Sequence, residues 1–233
     1  AGHTLFASGF NGNRLYRFDL ADPLRPRLAG VVEFPSALAY PHSLERLPTG
    51  NVIATMHARD GAFQPPGGIA EFTDDGTVAR WPSAETTSVP DNVVRPYSLV
   101  ALPAHDRLIT TSGRMRLARW DPRRDDFTDE SLGSYIQLWQ LSDFALLTTA
   151  ALTAPEGHDS NLSPYEPRVL ANGSTVLVAT ARCGLYLVRG LDVTVFNADL
   201  VYEFEGSGCA VPLRVGQFWI QTTSETRRVV VLD

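Results

Sequence analysis

At 233 residues the chain can bury a sizeable core, and a single all-β domain readily reaches this length. Hydrophobic residues make up 44 % and charged residues 20 %, an ordinary globular balance, and no apolar run is long enough to span a bilayer. The formal charge of −6 argues against non-specific binding of nucleic acid or an anionic membrane, since both need a basic face.

The predicted elements are short strands. Period-2 alternation dominates, Gly, Pro, Asp and Asn punctuate it, and helix signals are almost absent. HTLFASG, NRLYRFDL and LAGVVEF open the chain as three strands. PHSLERLPTGNVIAT from Pro41 gives two strands around a Pro-Thr-Gly turn, and GGIAEF from Gly67 and TVARW from Thr77 complete a set of four. PYSLVALPAHDRLITT from Pro96, SYIQLWQL from Ser134 and ALLTTAAL from Ala145 form the next set. PYEPRVLANGSTVLVAT from Pro164, CGLYLVRG from Cys183 and LVYEFE from Leu200 form another. GCAVPLRVGQFWIQTT from Gly208 and RRVVVLD from Arg227 end the chain with three strands.

Four antiparallel strands recurring about every 45–65 residues are the signature of β-propeller blades. The expected fold is therefore an all-β propeller, one domain over residues 1–233, with about five blade units visible. The first unit lacks its first strand and the last lacks its fourth. Two readings follow: a five-unit ring with two thin blades, or a piece of a longer propeller such as a seven-bladed one, which the aggregation hazard of open sheet edges favours. The opening AGHTLFASGF does not read as a leader, a removed leader stays open, and the expectation is a soluble bacterial protein whose compartment, cytoplasm or periplasm, is undecided. All 20 basic residues are arginine, the codon bias of a GC-rich bacterium, which excludes lysine Schiff-base chemistry. The two cysteines lack CxxC spacing and predict no disulfide framework.

NRLYRFDLADPLRPRLAG, from Asn13 to Gly30, resembles a strand-and-turn phrase that recurs in the selenium-binding proteins, a family whose bacterial members include copper-dependent methanethiol oxidase. PHSLERLPTGNVIATM is similar to the family's HTSH-containing strand and turn, and RPYSLVALPAHDRLITTS to its GYDFWYQP region. YIQLWQL, YEPRVLANGS and GQFWIQTTSETRRVVVLD resemble later family segments in the same order. The departures are definite. The family's His-His segment, its reactive cysteine motif and its C-terminal metal-binding histidines have no counterpart here.

The resemblance implies that His42 is a metal ligand, with copper as the metal. Tyr97 and Glu166 occupy comparable first-strand positions. Glu166 is a candidate metal ligand, an orienting partner for His42 or a general base, or else a partner of Arg168 or Arg95. Tyr97 is a catalytic candidate or a packing residue. Cys209 opens the fifth first strand, where a thiolate would suit a soft metal, or a buried thiol would be inert. Cys183 reads as core. His57, in MHARDG, falls after a second strand at a sheet end, where loops carry function, and matches no family histidine. His105, His158 and His3 read as turn, loop and terminus. No HExxH, P-loop or GxGxxG precedes a helix, so no nucleotide cofactor is expected.

Two functions follow. One is an oxidoreductase, a copper-dependent oxidase of methanethiol or a related small thiol, sulfur or selenium compound. The other is a non-catalytic propeller that binds a ligand or protein partner, with Arg114, Arg116, Arg119, Arg123 and Arg124 as a contact surface.

Overall fold

The computed structural model describes residues 3–86, 89, 94–112, 134–156, 162–192, 194–206, 209 and 211–233. Among them are 18 strands. They are β1 (Thr4–Gly9), β2 (Arg14–Asp19), β3 (Arg27–Val32), β4 (Ala39–Arg46), β5 (Val52–Ala58), β6 (Gly68–Phe72), β7 (Val78–Arg80), β8 (Pro96–Leu102) and β9 (Arg107–Ser112). There follow β10 (Tyr135–Gln140), β11 (Leu146–Ala151), β12 (Pro164–Val169), β13 (Val176–Thr180), β14 (Gly184–Arg189), β15 (Asn197–Glu203), β16 (Leu213–Val215), β17 (Phe218–Thr223) and β18 (Arg228–Leu232). Strands run consecutively within five sheets, β1–β3, β4–β7, β8–β11, β12–β15 and β16–β18. The three inner sheets have four strands and the first and last have three, as the sequence repeats predict. The chain is all-β and its sheets are of the propeller-blade type.

The described chain divides into two compact units, one up to Leu99 and one from Val100 onward. In the first, Phe6, Leu15 and Val32 from sheet β1–β3 pack against Val52, Ala54, Met56, Ala70 and Phe72 from sheet β4–β7. Strand β5 is buried at all seven positions. Its alternation sends Val52, Ala54 and Met56 into this core, while Ile53, Thr55 and His57 share the opposite face.

Strand β6 approaches β5 so closely at its start that only glycine fits. A Cβ on Gly67 would lie 2.2 Å from the Met56 carbonyl oxygen, and one on Gly68 would lie 2.5 Å from that of Pro82. The Gly-Gly pair therefore serves strand packing.

In the second unit, Ile109, Ile136, Leu138, Val176, Val178, Tyr186 and Val188 form the main core. Buried Trp139 donates from Nε1 to Thr110 Oγ1 at 3.0 Å, so its polar edge is satisfied. A second cluster joins Leu177, Ala179, Leu185 and Phe204 to Trp219, Val230 and Leu232 of the last sheet. Cys183 and Cys209 lie in this cluster and form a disulfide. The sequence predicted no such bridge. The two are 26 positions apart in sequence, and the packing of the last sheet against its neighbour brings them together.

Candidate functional site

Strand β4 is irregular where it matters. Its register with β5 shifts between Pro41 and Leu44, so His42 and Ser43 sit in the irregularity. Strand β12 shifts against β13 between Pro164 and Pro167, bracketing Tyr165 and Glu166. A bulge re-aims the side chains it contains, and bulges gather beside functional sites. The aligned phrases PHSL and PYEP thus share a backbone irregularity as well as a sequence pattern.

The half-buried His42 ring lies 4.1 Å from the Tyr97 ring, centroid to centroid. Its Nδ1 is 2.8 Å from the Tyr97 carbonyl oxygen. His57 follows the same rule one strand over. Its Nδ1 is 3.0 Å from the Pro96 carbonyl oxygen. Carbonyls only accept, so each Nδ1 carries a proton. Thr55, on the same face of β5, donates to the Tyr97 carbonyl at 2.8 Å and accepts from the Ser43 amide at 2.9 Å. Ser43 and Ser98 hydroxyls meet at 3.0 Å.

Aromatic rings enclose this pair. Phe10, from the 3₁₀ turn Phe10–Gly12 between β1 and β2, sets its ring edge-on to both His42 and His57, at 5.7 and 5.4 Å. Phe63 stacks on His57 at 5.6 Å, Tyr40 meets Phe63 at 5.0 Å, and the Arg95 guanidinium lies 4.4 Å over the Phe63 ring. The two imidazole centroids are 6.1 Å apart. His57 is wholly buried, and its Nε2 has no hydrogen-bond partner among the described residues. Burial above all, then the nearby His42 and Arg95, push its pKa down to about 3 against the pull of the Pro96 carbonyl. His57 is therefore a neutral imidazole at physiological pH, the form that binds metals.

The sequence-predicted residues fare differently. His42 and Tyr97 come together. Glu166 lies in the second unit with its carboxylate 3.5 Å from the Arg168 guanidinium, one of the two arrangements expected for it. Cys209 corrects the expectation of a soft thiolate ligand: its sulfur is bonded to Cys183, and no thiolate exists while that bond stands. Both cysteines of the chain are in this bond, so no free thiol remains to carry selenium or metal. His57 is also corrected, since it lies inside β5 and not in a loop. The missed signal was the period-2 series Ile53, Thr55, His57, which puts the histidine on the face of β5 that meets Pro96 and Tyr97. His158 and the five arginines from Arg114 to Arg124 fall outside the described residues.

Copper, which the resemblance implies, meets a partial donor set. Two nitrogens with orienting carbonyls are present, and metal–nitrogen bonds of about 2 Å place two ring centres sharing one ion roughly 5–6 Å apart. Among the described residues no group of three or more His, Cys, Asp or Glu side chains comes together to hold a metal ion.

No protein-family model and no curated protein matches the sequence. Solved structures do match. A protein from Lactobacillus plantarum aligns over 99 % of this chain and 67 % of its own, with 11 % identity and a TM-score of 0.68. A mitotic checkpoint complex structure aligns over 99 % of this chain and 60 % of the matched one, with 9 % identity and a TM-score of 0.66. A hypothetical selenium-binding protein from Sulfolobus tokodaii aligns over 87 % of this chain and 45 % of its own, with 14 % identity and a TM-score of 0.60. At such identities the likeness is one of fold alone.

Proposed function

We propose that the chain is a metal-binding propeller of the selenium-binding-protein kind, holding copper between His42 and His57 and acting on a small thiol. The observation that carries this reading is the buried, unpartnered Nε2 of His57 beside a second imidazole whose Nδ1 is likewise committed to a carbonyl. A buried acceptor without a donor costs roughly 1–3 kcal/mol, and a bound cation removes that cost. The Pro96 and Tyr97 carbonyls engage Nδ1 of both rings, and Phe10, Phe63 and Tyr97 pack against the pair. Copper would supply one-electron chemistry with oxygen, and the aromatic walls would admit a small apolar thiol.

The test is copper loading followed by desalting and elemental analysis, with X-ray absorption to count nitrogen ligands. Near-stoichiometric copper with two histidine nitrogens is expected in the wild type. His42→Ala and His57→Gln should each lose it and lose thiol-dependent oxygen uptake. Copper retained by both variants would move the site elsewhere. Absence of copper from the wild type would favour the non-catalytic binding propeller.

A further inference from the structure

A cleft of about 630 Å³ opens between the outer strands of the first two sheets, away from the histidine pair. Ala29, Val31 and Glu33 line one wall, and Asp75, Thr77 and Trp81 the other. Arg17 reaches it from β2, where its backbone faces Gly30 of β3. Two glycines keep the floor open. Gly30 has nothing within 4 Å of where a Cβ would be. Gly76 sits at φ +91° in the turn before β7, and a Cβ there would press on Val32 at 3.2 Å and lie 3.8 Å from Arg17 Cδ.

The cleft mixes apolar and polar side chains. Among the described residues Arg17 donates no hydrogen bond, though its charge acts on Asp74 and Asp75. Asp75 accepts from Thr73 and Thr77 within its own turn. Trp81 is 45 % exposed although its backbone is held on both sides, by the Glu71–Arg80 pairing before it and the Ile69 amide bonded to Pro82 after it. An exposed indole on a fixed backbone is a platform that loses little entropy on binding.

We propose that this cleft binds a neutral polyhydroxylated ligand, a sugar unit of a saccharide chain. The indole offers an apolar face to the C–H side of a pyranose, while guanidinium and carboxylates supply the donors and acceptors that hydroxyls need. The ionisable lining is Arg17 against Glu33 and Asp75, a net negative balance that disfavours phosphate or sulfate. Volume and mixed lining lie within the range of small-molecule sites.

The experiment is calorimetric titration of the protein with cellotetraose, maltotetraose and inorganic phosphate. At least one tetrasaccharide should bind, and phosphate should not. Trp81→Ala and Arg17→Met should each weaken saccharide binding at least about tenfold with unchanged thermal unfolding. Failure of both tetrasaccharides to bind overturns the proposal, as does binding of phosphate alone. Saccharide binding that survives both substitutions overturns it too. Copper loading of the His42–His57 pair reads out separately, so the two sites stand or fall apart.

Discussion

His57 carries a consequence that any denaturation experiment can read. The unfolded chain takes up a proton at this imidazole near pH 6.5, and the folded chain only near pH 3. Its folded pKa is lowered, so the unfolded state binds more protons in that window and stability falls as pH drops through it. The slope from this single group is about 1.4 kcal/mol per pH unit in mid-window. Urea denaturation at pH 7 and pH 5 should show the loss, and His57→Phe should show much less of it. Equal losses would place the acid sensitivity elsewhere. A second residue-scale expectation concerns Glu71, nearly buried and held by Asn51 Nδ2 at 2.7 Å and Arg80 Nε. Arg80→Met removes the charge partner of this carboxylate, leaving only Asn51, and should cost about 1–3 kcal/mol in the same assay, whereas Arg189→Met, which breaks a pair exposed on both sides, should cost under about 1 kcal/mol.

At the scale of elements, the strands were legible and the tertiary joints were not. All 18 strands follow from alternation and turn residues, because a half-buried strand writes its period directly into the chain. His42 beside Tyr97 was half legible: the aligned first strands marked both positions, but the carbonyl contacts that orient the rings depend on register. The Cys183–Cys209 bond was illegible, since no spacing rule speaks for two cysteines brought together by packing of separate sheets. That bond closes a loop across 26 positions and should add about 3–4 kcal/mol in the chain-entropy picture. Cys209→Ser should lower the unfolding midpoint accordingly, and free-thiol titration of the denatured wild type should find none. Titration of two free thiols would show that the bond does not form. Gly67→Ala should be worse than either, because its Cβ meets backbone that cannot yield; soluble yield reads this directly.

At the scale of the molecule, one group of exposed apolar side chains among the described residues gathers on the last sheet. Register places Leu213, Val215, Val229 and Val231 with Phe218 and Ile220 on one face of sheet β16–β18. The four aliphatic side chains are each at least 50 % exposed, as is Leu28 of the first sheet. Patches of this kind drive association. Static light scattering against concentration should show self-association of the wild type, reduced in a Val229→Glu, Val231→Glu double variant that folds as before. Unchanged association would acquit this face.

The plainest feature of the molecule has a consequence beyond its own stability. Among the described residues each sheet is built from strands that are neighbours in sequence, in order. A gene of this design can lengthen by in-frame duplication of one sheet, with both junctions in loops. Copies can then diverge side by side; the aligned phrases PHSL and PYEP differ in this way, one carrying a histidine and the other a carboxylate. Chemistry can arise in one copy while its siblings keep the fold.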